Sequence, residues 1–106
     1  MRRVIIESPY AGDIERNIAY AKAAIKDCLK YNEAPIASHL LFTQPGLLDD
    51  NSVEERNLGI NAGHAWIKVA DALIVYRDHG ISSGMQKAID LAISLGIIIE
   101  YRYLYE

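Results

Sequence analysis

The residues with the clearest chemical potential lie in one short run, Gly80-Ile81-Ser82-Ser83-Gly84, just ahead of an apolar periodicity that predicts a helix. A helix start leaves backbone N–H groups without intrahelical partners, and the helix dipole adds positive character there, so such a run can hold an anion. Gly80 and Gly84 let a phosphate approach the backbone, and the hydroxyls of Ser82 and Ser83 can donate to its oxygens. Met85 follows at once and begins the apolar face. The run is not a Walker A loop, because no lysine follows at the required spacing, and no G-x-G-x-x-G run follows the first strand. A helix cap with a flexible turn is the alternative this motif leaves open.

A second loop, Ser8-Pro9-Tyr10-Ala11-Gly12, also leads into a helix, with Asp13 as N-cap. Tyr10 either stacks on a base or sugar or is a surface aromatic. Arg16 and Arg56 either fork a phosphate or form helix-surface salt bridges. Asn17 either bonds a ribose or braces the first loop. His39 either meets a base edge or makes a structural hydrogen bond, and His79 is either a titrating neighbour of the glycine turn or an exposed loop residue. His64 and Trp66 are expected in core or subunit packing, and Cys28 as a small buried side chain.

The elements that must position these residues alternate strand and helix. Arg3–Ser8 is a short apolar strand, and Ile14, Ile18, Ala21, Ile25 and Leu29 mark a helical stripe. Ala34–Ser38 predicts a second strand, and Thr43–Asn51 a loop. Ser52 with Glu55 predicts a full capping box ahead of a helix whose face carries Val53, Ile60, Gly63 and Ile67. Ala70–Tyr76 is the clearest central strand, and Arg77–Gly80 the loop after it. The next helix is expected to turn Met85, Ile89, Ala92 and Ile93 inward and to stop at Gly96 in a left-handed conformation, before a last strand at Ile97–Tyr101. This pattern predicts one domain over residues 1–106. Its fold class is α/β, Rossmann-like or flavodoxin-like, in three layers with a four- to five-stranded, mainly parallel sheet of order 2-1-3-4. Ligands of such sheets bind at the carboxyl ends of the strands, where the strand order reverses, and both loops above lie there.

Composition narrows the class of partner. The 106 residues are 51% hydrophobic and 24% charged, which excludes a disordered chain. A net charge of −3 is a poor match to a polyphosphate backbone, so no nucleic acid is expected. One cysteine and three isolated histidines predict neither an internal disulfide nor a metal site. No apolar run is long enough to span a bilayer, and no signal-peptide core follows Met1. The expected location is a reducing cytoplasm, the host's if the chain is phage-encoded.

Several separated segments together resemble the small nucleoside 2-deoxyribosyltransferase-like proteins, in particular their phage and bacterial relatives of unknown function. They are Ile6-Glu7-Ser8-Pro9-Tyr10-Ala11-Gly12 with Arg16-Asn17, Ala34–Leu40, Glu54-Glu55-Arg56, Asp71, and Gly80–Met85. The resemblance spans nearly the whole chain. It implies a Rossmann-like sheet, a homo-oligomer, and a pocket for a nucleoside or nucleoside monophosphate; no cofactor is expected. It also implies a glutamate one helical turn after the serine-glycine segment, attacking the anomeric carbon of the sugar. Here the expected Gly-Met-x-x-Glu-Ile pattern reads Gly84-Met85-Gln86-Lys87-Ala88-Ile89, with alanine at the carboxylate position. A methyl group performs no nucleophilic catalysis. Asp90 should face away, which leaves Asp78 and Glu7 as weak candidates for a displaced acid, with Asp78 more a binding residue than a nucleophile.

Two functions follow as expectations. The first is binding of a nucleotide-derived small molecule without turnover, which in a phage setting would sequester a host immune nucleotide signal. The second is an N-glycosidase or deoxyribosyltransferase using Asp78 or Glu7. The expected ligand contacts are Ser8, Tyr10, Gly12, Arg16, Asn17, His39, Arg56, Asp78, Gly80, Ser82, Ser83, Gly84 and Met85. Tyr101, Tyr103 and Tyr105 alternate along the C-terminal run and are expected near the homo-oligomer interface, or folded back over their own sheet.

Overall fold

The computed structural model describes residues 1–105. Four strands, β1 (Arg2–Glu7), β2 (Glu33–Ile36), β3 (Ala72–Tyr76) and β4 (Ile98–Arg102), form one sheet in the order β2-β1-β3-β4, every neighbouring pair parallel. The expected strand order is therefore observed, with four strands and no antiparallel member among the described residues. Strands β1 and β3 lie in the middle, and every residue of β3 is buried, as its unbroken apolar run requires.

Helices cover both faces. Helix α1 (Ile14–Lys30) packs Tyr20, Ala24 and Cys28 against Val4, Ile6, Ala72, Ile74 and Tyr76. On the other face, α3 (Val53–Ile67) contributes Ile67, and α4 (Ser83–Leu95) contributes Met85, Ala88, Ile89 and Ala92, against Ile5, Leu73 and Val75. Alternation along the strands sorts the residues: Val4 and Ile6 face α1, whereas Ile5 faces α3 and α4. On the α1 face, Glu33 of β2 accepts from Arg102 of β4 at 2.8 Å through each of its carboxylate oxygens and pairs with Arg2 of β1 at 2.5 Å. The Arg102 guanidinium, with Arg2 second, holds the Glu33 carboxyl down at about 2.

The caps follow the local chemistry. Asp13 accepts from the Arg16 amide at 3.2 Å, and Gly96 closes α4 with φ 70°. Ser52 accepts from the Glu55 amide at 3.4 Å, but no return bond from the Glu55 side chain completes the expected box. The reciprocal pair forms instead at α4. There Ser82 accepts from the Met85 amide at 3.2 Å, and the Met85 sulfur accepts from the Ser82 amide at 3.4 Å.

Three expectations are corrected. The second strand ends at Ile36, and Ser38 opens a short helix, α2 (Ser38–Leu41), which the proline-led run concealed. Ile93 points outward and is 65% exposed, because the sheet side of α4 is already filled by Met85, Ala88, Ile89 and Ala92. The face of α3 is real but divided: Gly63 and Ile67 are buried, whereas Val53 and Ile60 are exposed and border a cavity.

Candidate functional site

That cavity, of about 480 Å³, opens where the loops after β1, β2 and β3 converge at the carboxyl end of the sheet. Strand order reverses between β1 and β3, so it lies at the crevice parallel sheets use for ligands. Glu7, Ser8 and Tyr10 border it from β1 and its loop, and Ser38 and His39 from α2. Arg56, Ile60 and His64 border it from α3, and Ser82, Ser83, Gly84, Met85 and Lys87 from α4 and its cap. Phe42, Leu48, Val53 and Ile60 give it an apolar wall.

Of the residues expected to touch a ligand, Ser8, Tyr10, His39, Arg56, Ser82, Ser83, Gly84 and Met85 converge on this cavity. Ser8 is buried, and its hydroxyl lies 2.6 Å from His39 Nε2. The other ring nitrogen of His39 is buried with no partner among the described residues, and burial lowers this histidine to about 4. His39 is thus a neutral ring fastened to the β1 loop. Arg56 sits 4.0 Å from Asp50, a loose pair that leaves most of its fork unused. The Ser82 hydroxyl is committed to capping α4 by accepting from the Met85 amide, which leaves Ser83 and Gly84 as the polar start of the helix bordering the cavity.

Gly12, Arg16, Asn17, Asp78 and Gly80 do not line it. Gly12 and Gly80 serve turns with φ of 99° and 81°, where a side chain would be strained. Asn17 is buried and donates to the carbonyls of Tyr10 and Ala11 at 2.8 and 3.1 Å, bracing the first loop from below, with Arg16 beside it at 3.5 Å. Asp78 lies on the α1 face instead. It accepts from the Tyr20 hydroxyl at 2.5 Å and from the amides of Leu104 and Tyr105 at 2.8 and 3.1 Å. Burial acts to raise its carboxyl, but these hydrogen bonds outweigh it and hold the carboxyl below the ordinary aspartate value. Asp78 therefore fastens the C-terminal run.

That run carries the three tyrosines. Tyr105 packs 5.9 Å from Tyr20 and 6.1 Å from His79, while Arg77 stands over the rings of Tyr101 and Tyr103. Strand β4 ends at Arg102, so Tyr103 and Tyr105 lie beyond it. Asp71 works at the opposite end of the sheet, accepting from the Arg3 amide at 2.7 Å. Trp66 is 53% exposed and is not a core residue.

Of the two acids proposed from the sequence, Glu7 reaches the cavity, which Asp50 and Glu55 also border. It ends β1 on the same face as Ile5, and no protein group among the described residues bonds its carboxyl. Burial pushes that carboxyl up to about 8, the expected response of an unpaired acid in a poorly solvated place. Ala88, where the resemblance placed a carboxylate, is buried against the sheet. Sequence reasoning missed His64 and Lys87 as cavity residues. Burial, and then the charge of Lys87, hold His64 below its ordinary value. The spacing Arg56, Ile60, His64 along α3 was the signal, since each step of four returns to one face.

Parallel strand order, helices on both faces and a cavity at the reversal point define a three-layer α/β domain of the Rossmann-like or flavodoxin-like kind. A solved structure of a 2-deoxyribosyltransferase from the psychrotolerant bacterium Bacillus psychrosaccharolyticus superimposes with a TM-score of 0.67. It shares 16% identity, and the match covers 95% of this chain and 72% of that one, a likeness of fold. Over residues 2–102 the chain matches, and belongs to, the family described as domain of unknown function DUF7768. No curated protein matches it. Among the described residues, no helix is long and apolar enough to cross a membrane, and no group of three or more acidic, histidine or cysteine side chains could hold a metal ion.

Proposed function

We propose that the cavity binds a nucleoside or nucleotide-derived small molecule and holds it without transferring its sugar. The observation that carries this reading is the cavity at the strand-order reversal, bordered at one end by the first turn of α4 and along one side by an apolar wall. A phosphate or sugar hydroxyl fits the backbone amides of Ser83 and Gly84 and the Ser83 hydroxyl, with Lys87 bordering the same cavity. A planar base fits against Tyr10, Phe42, Leu48 and Ile60. Retention rather than transfer is supported by Ala88, which offers no carboxylate for a covalent sugar ester. A homo-oligomer joined near Tyr101, Tyr103 and Tyr105 belongs to the same proposal; its support is that the three rings remain 46%, 46% and 66% exposed.

Thermal melting against a panel of nucleosides and 5′-monophosphates tests the reading. A ligand at about 100 times its dissociation constant adds about 2.7 kcal/mol of stability, and denaturing the complex should return it unaltered. Absence of any shift across the panel would refute binding. N-glycosidic cleavage is the second reading, favoured by Glu7, which reaches the cavity while Asp78 does not. Free base appearing in the same incubations would select it.

A further inference from the structure

Glu7 is an acid without a protein partner in a place prepared for one. Its register neighbour on β3 is Val75, and Val75 packs with Met85 and Ala88 of α4, so the carboxyl stands where the sheet meets the first turns of that helix. Among the described residues neither cation of the cavity pairs with Glu7: Arg56 sits 4.0 Å from Asp50, and Lys87 forms no ion pair. An isolated carboxylate withdrawn from water is costly, and retaining its proton is the cheaper state. A protonated carboxyl presents a donor and an acceptor side by side, and a flat apolar wall shares its cavity.

We infer that Glu7 grips the heterocycle of the bound ligand as a neutral acid, pairing through one donated and one accepted hydrogen bond with a nucleobase edge that offers both. This rests on the nucleoside-binding reading above and names the base it takes. Adenine and cytosine carry an amino group beside a ring acceptor and suit the pair. The guanine edge with two adjacent donors suits an ionised carboxylate and is disfavoured.

Because burial raises the Glu7 carboxyl to about 8, the gripping form predominates at neutral pH and is lost as pH rises through that value. The other ionisable groups bordering the cavity are Tyr10, His39, Asp50, Glu55, Arg56, His64 and Lys87. Burial lowers both histidines from their ordinary 6.5, so both give up their protons below the range in which Glu7 does.

Calorimetric titration of adenosine and cytidine into the whole protein at pH 6.5 and pH 9.0, with guanosine compared at pH 6.5, tests this. Wild type should bind adenosine or cytidine about tenfold more tightly at the lower pH, the ratio of neutral acid expected for a group titrating near 8, and should prefer both to guanosine. Glu7→Gln, whose amide also offers a donor and an acceptor, should keep the low-pH affinity within about threefold and lose the pH dependence. Glu7→Ala should weaken low-pH binding at least about tenfold. A flat wild-type profile, a preference for guanosine, or equal losses in the glutamine and alanine variants would overturn the inference while leaving nucleoside binding intact. Base release by wild type that disappears in Glu7→Gln would overturn it in favour of proton transfer by Glu7. No binding of any nucleoside or monophosphate would overturn the underlying reading as well.

Discussion

Asp78 and Glu7, the two acids proposed from the sequence and Asp78 more as a binding residue, lie on opposite faces of the sheet. Side chains alternate along a strand, so Glu7 shares the side of Ile5, toward α3 and α4, whereas Asp78 lies beyond the end of β3 and is held on the α1 face by Tyr20. Asp78 is saturated there by Tyr20, Leu104 and Tyr105, and its function is to hold the chain end. Asp78→Ala should therefore lower stability by about 1–2 kcal/mol, charged hydrogen bonds discounted for partial exposure. Hydrogen exchange at the Leu104 and Tyr105 amides should accelerate, while nucleoside affinity stays within twofold or so. A large loss of affinity with the melting temperature unchanged would restore Asp78 to the binding site.

Helices α2 and α3 touch through a contact that admits no side chain at position 63. A Cβ placed on Gly63 would lie 2.5 Å from the Ser38 hydroxyl oxygen and 3.2 Å from its Cβ. This close approach carries His39 against Ser8 and sets the cavity wall on that side. Gly63→Ala should cost about 1–3 kcal/mol, the usual penalty of overpacking, and should weaken ligand binding by shifting α2. Chemical denaturation and titration of the same variant check both effects; an unchanged midpoint would mean that Ser38 rotates away freely. At α4, Met85 in the place of the usual glutamate closes the capping pair through sulfur, a partner that periodicity counts only as an apolar residue.

Three buried or paired groups shape the response of the domain to pH, and they act in different windows. Glu33, held near 2 by Arg102 and Arg2, contributes stability that is complete above its unfolded value of 4.5 and is lost as pH falls toward 2. His39 is buried neutral with its value lowered from 6.5 to about 4, so stability also falls as pH drops through that interval. Glu7 acts in the opposite sense: its value is raised from 4.5 to about 8, so stability declines as pH rises between them. The two slopes oppose each other between 4.5 and 6.5, and Glu7 acts without His39 from 6.5 to 8. Urea unfolding at stepped pH should show a plateau in the lower interval and a fall in the upper one. The Glu7→Gln variant should remove that fall; a fall of the same size in the variant would assign it to another group.

Much of this architecture was legible in the order of residue types. The apolar runs at Val4–Ile6 and Leu73–Val75, the stripe through Ala21 and Ile25, and the stops at Asp13, Ser82 and Gly96 report local preferences, and local preferences are carried by neighbours along the chain. Parallel strands then force the three loops bearing Ser8, His39 and Ser82–Met85 to one end of the sheet, which is why those residues met as expected. Which side of the sheet a residue beyond a strand end would take, as at Asp78, depended on the helix packed there. So did the partnerless state of Glu7, the division of the α3 face into cavity and core, and the short helix at Ser38. Solvation and hydrogen-bond partners come from segments distant in sequence, so only the folded chain settles whether a carboxyl is fastened, as at position 78, or left for a ligand, as at position 7.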